Sequence, residues 1–344
     1  MQLLRLWAAA GIFTLAACAS APVGGRAPAA IAFPVIGDIP YSDEDSYVLE
    51  EQIVPAVKAG GYPFVIHIGD YKSGGAPCTA EKDDAFAALI EEFAPVPVFY
   101  TPGDNEWTDC DRFEDPATGQ PQSELARLDI IRTRYFKELV AAPEAMQATA
   151  QPDAPENVMW RYKRVRFATV HVVGTGNGRR AVAGDDPAEA GRRADAREAA
   201  ARNWITAASA AAKTENAKAL VIAMHADMTD VDNAVFGEPC AGAAAAREQR
   251  CDAFVALRAA VRDAAATFGG PTLLIHGDTA PFTLTQSFGG DEADNLWVLN
   301  AAGDHGVTAE GFHYGLQDST LVEIRPGAAA PFSARGVAEG APAD

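Results

Sequence analysis

The sequence is short of positive charge. Its 344 residues contain 28 lysines and arginines against 47 aspartates and glutamates, which gives a formal charge of −19 at pH 7. A protein that holds nucleic acid on its surface needs a basic face to meet the phosphates, and no such face is visible in this sequence. We therefore expect no nucleic-acid scaffold binding.

Cysteines are also few, and their spacing is not that of a structural zinc site. None of the five stands in a Cys-x-x-Cys or Cys/His arrangement. Without Cys18 an even set of four remains, as in exported proteins that form two disulfides. We expect Cys240 to pair with Cys251 across a short Ala-rich loop. Cys78 and Cys110 each follow a suspected site loop and are expected to pair, with four free thiols as the alternative.

The first residues predict export. Arg5 precedes an apolar stretch, residues 6–17, which is too short to cross a bilayer as a mature helix and is typical of a signal peptide. The string Leu-Ala-Ala-Cys that ends at Cys18 resembles a bacterial lipobox, which is cut before a cysteine that then carries lipid. We expect a lipid anchor at Cys18 in the bacterial cell envelope, at the outer membrane or in the periplasm. An ordinary signal peptide, with Cys18 removed or idle, is the alternative.

No linker interrupts the middle of the chain, and no internal repeat is evident. Because 48% of the residues are hydrophobic, the chain has enough apolar surface for one large core. We expect a signal peptide at residues 1–17, an Ala/Pro/Gly-rich tether at 18–30, one domain at 31–326 and a disordered tail at 327–344.

Short apolar runs alternate with helical patterns along the domain. The runs are rich in Val, Ile and Phe and apolar on both faces, which is typical of buried strands. Such strands are predicted at residues 31–36, 64–68, 96–100, 167–173, 219–224 and 272–275. Helices are predicted at residues 45–58, 79–93, 124–140, 192–212 and 247–268. This alternation predicts an α/β core with largely parallel central strands.

Two further pairs of runs have the pattern of antiparallel strands at the edges or in a second sheet. Residues 159–164 are expected to pair with 166–173, which follow after a single residue. Residues 295–299 are expected to pair with 319–324.

Acidic residues and a histidine follow five of the predicted strands. They are Asp38, Asp70, Asp104, His225 and Asp278. Ligands of open α/β sheets bind outside the carboxyl ends of the strands, so these side chains are expected to meet at one rim. Each aspartate follows a glycine, which lets the backbone turn sharply. Converging carboxylates repel one another unless a metal neutralises them, so the pattern predicts a metal site.

Four strings in a fixed order carry a family resemblance. They are GDIPYS from Gly37, HIGD from His67, YTPGDNEWTDC from Tyr100 and HGDT from His276. In this order they resemble the calcineurin-like metallophosphoesterase superfamily, in a bacterial secreted branch, over about residues 31–324. The resemblance implies a four-layer αββα sandwich of two mixed β-sheets flanked by helices. It also implies a metal-dependent phosphoesterase that hydrolyses a small phosphorylated substrate with a metal-activated water.

The resemblance also assigns roles to the residues at the strand ends. It makes Asp38 a ligand of a first metal and Asp70 the carboxylate that bridges two metals. Asp104, His225 and Asp278 complete the second metal's ligands. This oxygen-rich set favours Mn²⁺, Mg²⁺, Ca²⁺ or iron over zinc, with one or two ions bound.

Three residues depart from the family pattern. Pro40 and Ala280 stand where histidine ligands are expected, so the first metal loses two imidazoles. Asn105 takes the place of the histidine that protonates the leaving group, and an amide does not titrate. Asn105 is therefore expected to orient the phosphoryl group or to donate a hydrogen bond. The departures keep an alternative open, a non-catalytic protein of this fold that binds a ligand or an envelope partner.

The other histidines have less specific expectations. For His276, a hydrogen bond to a ligand, a ligand role in a shifted loop and a core role all stay open. His305 and His313, in a Gly-rich loop, are candidates to line the pocket. His67 and His171, inside apolar strands, are expected to be buried core histidines.

The string Gly-Thr-Gly-Asn-Gly, Gly174–Gly178, has the glycine content of a phosphate loop. It lacks the P-loop lysine and the dinucleotide-binding spacing. We expect a tight turn beside the site at this position.

Overall fold

The computed structural model describes residues 30–180, 182–229, 239–240 and 251–344. Except for Ala30, the predicted signal peptide and tether lie outside these residues. Within the described ranges, none of the helices is both long and apolar enough to cross a membrane.

The described residues form fourteen strands, and all six predicted buried strands are among them, although several ends shift. In chain order the strands are β1 (Ile31–Ile36), β2 (Val65–His67), β3 (Val98–Tyr100), β4 (Thr149–Gln151), β5 (Ala154–Tyr162), β6 (Val165–Thr169), β7 (Ala219–Ala223), β8 (Thr272–His276), β9 (Thr283–Thr285), β10 (Leu296–Asn300), β11 (His305–Val307), β12 (His313–Gly315), β13 (Thr320–Ile324) and β14 (Phe332–Gly336).

The strands form two mixed sheets and a small hairpin. The first sheet has the order β14-β13-β1-β2-β3, the second has the order β4-β5-β6-β7-β8-β10-β9, and β11 pairs with β12. In the first sheet β1, β2 and β3 are parallel, and in the second β6, β7, β8 and β10 are parallel. The remaining pairs are antiparallel, including the predicted pairing of β5 with β6. The predicted α/β class with two mixed sheets is confirmed.

Helices occupy the predicted positions between the strands. They are α1 (Asp43–Val48), which continues through a π-helical turn into α2 (Val54–Gly60), α3 (Ala80–Glu92), α4 (Glu124–Tyr135), α5 (Pro187–Thr214) and α6 (Val255–Phe268). The local sequence explains where two of the helices begin. The side chains of Thr79 and Asp186 accept hydrogen bonds from first-turn backbone amides of α3 and α5. Helix α6 begins at Val255, later than the predicted residue 247, which lies outside the described residues.

Two expectations about the C-terminal third of the chain are wrong. Residues 295–299 and 319–324 do not pair, because β10 lies beside β8 and β13 lies beside β1 in the other sheet. The tail beyond Pro326 is not disordered throughout, since β14 pairs with β13. Within β14, Phe332 and Ala334 are buried while Ser333 and Arg335 are exposed, which is the alternation of a half-buried strand.

The two sheets face each other across an aromatic core. Phe33 and Phe99 come from the first sheet, Phe64 directly precedes β2, and Trp160 and Phe167 come from the second sheet. The rings of Phe99 and Trp160 stack with centroids 3.7 Å apart, and Phe33 meets Phe167 edge-on at 5.4 Å. Such pairs bury large apolar areas with specific geometry, so they fix how the two sheets align.

Helices cover the outer face of each sheet. Ile205 of α5 and Val261 of α6 belong to the same buried cluster as Ile222 of β7. Ile53, in the π-helical turn before α2, belongs to another cluster with Val65 of β2. The result is an α/β sandwich in which the parallel strands of both sheets are held rigidly from two sides.

Both predicted disulfides are present. Cys78 pairs with Cys110, and Cys240 pairs with Cys251. The first disulfide joins the loop that follows β2 to the loop that follows β3. Two disulfides fit an exported protein, because oxidising compartments are where such bonds persist.

A buried carboxylate–imidazole pair links β5 to the segment just after β6. Glu156 Oε1 lies 2.9 Å from His171 Nδ1 and 2.6 Å from a guanidinium nitrogen of Arg132. Burial opposes the charge on Glu156, but these partners outweigh it and lower its pKa to about 2. Burial lowers the pKa of His171 to about 4 despite the neighbouring carboxylate.

We predict that the contribution of the Glu156–His171 pair to the free energy of unfolding falls on acidification. As pH falls, each of these two groups is protonated in the unfolded chain before it is protonated in the folded chain. The contribution of His171 to stability is therefore lost as pH falls from 6.5, its ordinary pKa, towards 4, and the contribution of Glu156 is lost as pH falls from 4.5 towards 2. Over the first window the free energy of unfolding, measured with urea, should have a pH slope in His171→Gln that is less positive than in the wild type, by up to about 1.4 kcal/mol per pH unit. The exposed His313→Gln is the control, and an unchanged slope in His171→Gln would contradict the prediction.

Candidate metal centre

All five predicted ligand side chains meet at one edge of the sandwich. Asp38, Asp70 and Asp104 follow β1, β2 and β3 of the first sheet, while His225 and Asp278 follow β7 and β8 of the second. Ligand atoms of Asp38, Asp70 and His225 lie within 4.8 Å of one another, and so do those of Asp104, His225 and Asp278. The rim predicted from the strand ends is therefore built by both sheets together.

His225 stands at the centre of this group with a fixed ring orientation. Its Nδ1 lies 3.0 Å from the carbonyl oxygen of Ile68, and a carbonyl only accepts, so Nδ1 is the donor. Its Nε2 faces three carboxylates, 3.4 Å from Asp70, 3.3 Å from Asp104 and 3.7 Å from Asp278. A histidine that is held by one nitrogen and presents the other to carboxylates has the arrangement of a metal ligand.

Burial and mutual repulsion disfavour the charges of this group. Burial raises the pKa of Asp38 to about 6 and raises the pKa values of Asp70 and Asp278 well above their usual range. Burial also favours the neutral His225 ring, but the carboxylates around it outweigh this and raise its pKa well above its usual value. For Asp104, hydrogen bonding to His225 outweighs burial and lowers the pKa. The group therefore favours a cation, whether a proton or a metal ion, among its oxygens.

One oxygen of Asp38 lacks any partner. Its Oδ1 accepts a hydrogen bond from the Asp278 amide at 3.1 Å and lies 3.3 Å from the hydroxyl of Tyr41. Its Oδ2 is buried with no hydrogen-bond partner. A buried, unpaired carboxylate oxygen is costly. A divalent cation beside Asp38 would satisfy it, so the donor set fits a metal ion.

The backbone is strained at three of the four aspartates. Asp38 and Asp70 both have φ of 57° and Asp278 has φ of 67°, in the left-handed region that non-glycine residues rarely adopt. Such strain concentrates at functional sites, where the surrounding structure holds it in place. The glycines before these aspartates are expected to let the backbone turn, and Gly69 does so with φ of 100°. Gly277 instead provides space, since a Cβ there would lie closer than 3.0 Å to Asp38 Oδ2.

Two residues that hold the centre together were not singled out from the sequence. The Tyr41 hydroxyl donates to Asp70 Oδ2 at 2.8 Å. The buried carboxylate of Glu106 accepts from the amides of Asp70 at 3.0 Å and Gly103 at 2.7 Å, and from the Tyr100 hydroxyl at 2.8 Å. Both stand inside the strings that carry the family resemblance, which is the signal that could have marked them.

Asn105 contacts the centre through Asp70. Its backbone amide donates to Asp70 Oδ1 at 3.0 Å, and its side-chain amide donates to Asp70 Oδ2. The same side-chain nitrogen lies 3.3 Å from the Tyr41 hydroxyl. Asn105 thus fixes a carboxylate of the centre.

The other histidines lie outside the two ligand groups found among the described residues. His276 is buried, with Nδ1 3.0 Å from the Gly277 carbonyl and Nε2 3.6 Å from Asp227, which fits a hydrogen-bonding role. His305 contacts Asp45 at 3.2 Å. His313 is exposed on β12 and does not line the centre. His67 and His171 are buried as expected.

The predicted tight turn at Gly174–Gly178 does lie beside the centre, and it is left-handed. Thr175, Gly176 and Asn177 have φ values of 51°, 62° and 56°. The buried Arg197 donates to the Asn177 carbonyl at 2.5 Å and supports the turn from behind. At Gly174 a Cβ would lie 2.8 Å from Asp278 Oδ2 and even closer to Asp104 Oδ2, so only glycine lets the turn close over these carboxylates.

Comparison with known proteins identifies no family. No family model matches the chain, and no curated protein matches it. Among solved structures it is similar to one described as "GAP50 the anchor in the inner membrane complex of Plasmodium". The two are 11% identical, the match covers 90% of this chain and 86% of that one, and the TM-score is 0.44. A likeness at this level carries no inference about function.

We predict that Gly174→Ala weakens metal binding without unfolding the chain. Gly174 has no positive φ, so alanine adds no backbone strain, but its methyl group displaces the carboxylates of Asp104 and Asp278. Calorimetric titration with Mn²⁺ should show affinity at least about tenfold lower than in the wild type. Gly75→Ala, where the added Cβ meets only Ser73 Oγ at 3.5 Å, is the matched control. Wild-type affinity in Gly174→Ala would contradict the assignment.

Proposed function

We propose that the chain is an exported, metal-dependent phosphoesterase with the metallophosphoesterase fold. The observation that carries the proposal is the position of His225 Nε2 among three carboxylates at the strand ends of two facing sheets. The order of these strand ends along the chain is the order of the calcineurin-like strings in the sequence. A purely structural protein does not need this convergence of buried charge.

The proposed centre holds one or two divalent ions. Asp38, Asp70 and His225 form one ligand group, and Asp104, His225 and Asp278 form the other. Such ions, when bound, neutralise phosphate oxygens and make a water more acidic. Because His225 Nε2 belongs to both groups and one lone pair binds one ion, the imidazole serves a single ion at a time. A second ion would be held by carboxylates alone. Oxygen ligands of this kind suit Mn²⁺, Mg²⁺, Ca²⁺ or iron.

The chain's own residues orient the substrate around this centre. Tyr41 and Asn105 both donate to Asp70 Oδ2 and keep that carboxylate in place. Arg112, half exposed, lies against the Gly74 carbonyl at 3.3 Å and Asp109 at 2.7 Å. Gly74 also adjoins the Asn105 side chain. Arg112, although paired with Asp109, is therefore proposed as the cation that contacts the phosphate of a bound ester.

The proposed location is the bacterial cell envelope, with a lipid anchor at Cys18. The two disulfides support an oxidising compartment. The lipobox-like string supports lipid attachment, and the acidic composition is that of a protein without a nucleic-acid partner. Mass spectrometry of the protein from a bacterial host tests the anchor, since a lipidated Cys18 at the mature N-terminus is the expected product.

We predict that the loss of bound metal is larger for a substitution at His225, which belongs to both ligand groups, than for a substitution that affects one group. Elemental analysis after Mn²⁺ loading should find one to two ions per wild-type chain. His225→Ala removes a ligand from both groups and should lose more metal than Asp278→Asn, which removes one from a single group. Activity on a phosphate ester should be abolished by Asp70→Asn. His171→Gln, a buried histidine outside both groups, is the control and should keep wild-type metal content.

Two outcomes of this experiment have different meanings. A chain that binds the expected metal but hydrolyses no phosphate ester favours the non-catalytic alternative, a ligand- or partner-binding protein of the same fold. A chain that binds no metal contradicts the centre itself.

We also predict a strong preference for good leaving groups. Asn105 stands where the family places its proton-donating histidine, and an amide donates a hydrogen bond but no proton. Aryl phosphates, whose phenolate departs without protonation, should react at least about a hundredfold faster than alkyl phosphates of similar size in kcat. Equal rates would show that another residue protonates the leaving group. Asn105→His, which restores a titratable ring, should narrow the difference.

A further inference from the structure

His305 lies between two hydrogen-bond acceptors that come from different loops. Its Nδ1 is 2.8 Å from the Gly303 carbonyl oxygen, and its Nε2 is 3.2 Å from Asp45 Oδ1. A carbonyl and a carboxylate accept but do not donate, and a neutral imidazole has only one N–H. Both contacts are hydrogen bonds only when the ring carries two protons, so the arrangement is that of a positively charged His305.

Asp45 is held as a carboxylate by several donors. Its Oδ2 accepts from the Tyr41 amide at 2.9 Å, and its Oδ1 accepts from the Gln317 side chain at 2.7 Å. Burial opposes the charge, but these hydrogen bonds, the one to Ser42 and the charge of His305 outweigh burial and lower the pKa of Asp45. Because histidine is the side chain whose charge changes between about pH 5 and 8, the proton on His305 decides whether the ion pair exists.

The ion pair joins two loops that flank Asp38. The loop after β1 contains Tyr41, whose backbone amide donates to Asp45. The loop after β10 contains Gly303, which packs so closely that a Cβ there would lie 3.1 Å from Asp38 Cβ. Because His305 contacts both Asp45 and the Gly303 carbonyl, it holds the two loops together next to this proposed metal ligand.

One further acid interacts with His305. It is Asp304, on the same loop, and burial raises its pKa while the charge of His305 opposes the rise. The other neighbours are uncharged or exposed, since Gln317 is an amide, Gly315 is the residue paired with His305 on β12, and His313 is exposed on that strand. Both acids favour the charged ring, and only Asp45 links it to the loop after β1.

Loss of one proton from His305 weakens this link. A neutral ring can still donate to the Gly303 carbonyl, but its Nε2 lone pair then faces the Asp45 carboxylate and repels it. Gln317 stays bonded to Asp45, so the loops remain in contact with a weaker connection. The Tyr41 hydroxyl, which orients a proposed ligand, is then held less firmly as well.

We propose that Asp45 and His305 form a pH-dependent latch that strengthens metal binding while His305 is charged. The two are positioning residues, because they act through Tyr41 and through the contact of Gly303 with Asp38. This proposal rests on the proposed metal-dependent function, since the property that the latch controls is metal affinity at that centre. The latch is closed at mildly acidic pH and opens as the pH rises towards about 8.

Calorimetric titration with Mn²⁺ of the wild type and of His305→Gln, at about pH 5.5 and about pH 8, tests the latch. At the lower pH the wild type should bind at least about threefold more tightly than the variant, because only the wild type has the charged link. At the higher pH the two affinities should be equal. Protonation of the ligand carboxylates weakens binding in both proteins and cancels in the ratio. A ratio of affinities that is the same at both pH values would overturn the proposal.

Two further variants show whether the histidine acts through its partner. His313→Gln, which removes an exposed histidine of the same hairpin, should bind Mn²⁺ as the wild type does at both pH values. Asp45→Asn removes the negative charge of the pair, so adding His305→Gln to it should change the affinity at about pH 5.5 much less than in the wild-type background. An equal effect of His305→Gln in both backgrounds would contradict the latch.

A measurement on the ring itself separates this proposal from the proposed function. If no protein binds Mn²⁺, the metal centre fails, and the latch is tested by ¹⁵N NMR of the metal-free wild type. Both ring nitrogens of His305 should carry protons at about pH 5.5, and one should have lost its proton at about pH 8. In Asp45→Asn the loss should occur at lower pH, because the carboxylate no longer favours the charged ring. A singly protonated ring at about pH 5.5, or an unchanged titration in Asp45→Asn, overturns the latch.

Discussion

The structure depends on how four carboxylates and one imidazole share a buried space where two sheets meet. Asp38, Asp70, Asp104 and Asp278 surround His225, and burial raises the pKa of three of these carboxyl groups. Like charges this close cannot all ionise in a poorly solvated site unless a cation joins them. A proton on His225 partly meets this need, and a divalent ion would meet it more fully. Hydrogen bonds from Tyr41, Asn105 and backbone amides hold the carboxylate oxygens of Asp38 and Asp70 in place.

That convergence needs a rigid frame because it strains the backbone. Three aspartates adopt left-handed φ values, each of which costs on the order of 1–3 kcal/mol unless the surroundings hold it. The aromatic core between the sheets fixes the strand ends, Glu106 holds the Asp70 and Gly103 amides, and the Cys78–Cys110 disulfide joins two of the loops. The small residues Gly174 and Gly277 leave room for carboxylate oxygens where any side chain would collide.

Sequence reasoning brought together the five residues of the proposed centre because their positions depend on a local property, the end of a short apolar run. It could not show that Asp38 and His225 come from different sheets, since strands that are apolar on both faces do not reveal their neighbours. For the same reason the partners of β10 and β13 were misassigned. The strand β14 was missed because its short alternation follows an Ala/Gly/Pro segment typical of disorder. The roles of Tyr41 and Glu106 depend on contacts between distant loops, which no periodicity encodes.

A crystal structure of Mn²⁺-soaked protein, with anomalous data collected at the manganese edge, tests the proposed metal centre directly. We expect an anomalous peak at coordination distance from His225 Nε2, with carboxylate oxygens of one or both ligand groups as its other ligands. We also expect that Asp38 Oδ2, which has no hydrogen-bond partner, gains either a metal ion or a metal-ordered water. Anomalous density absent from the carboxylate group, with His225 and the aspartates in the same arrangement, would contradict it.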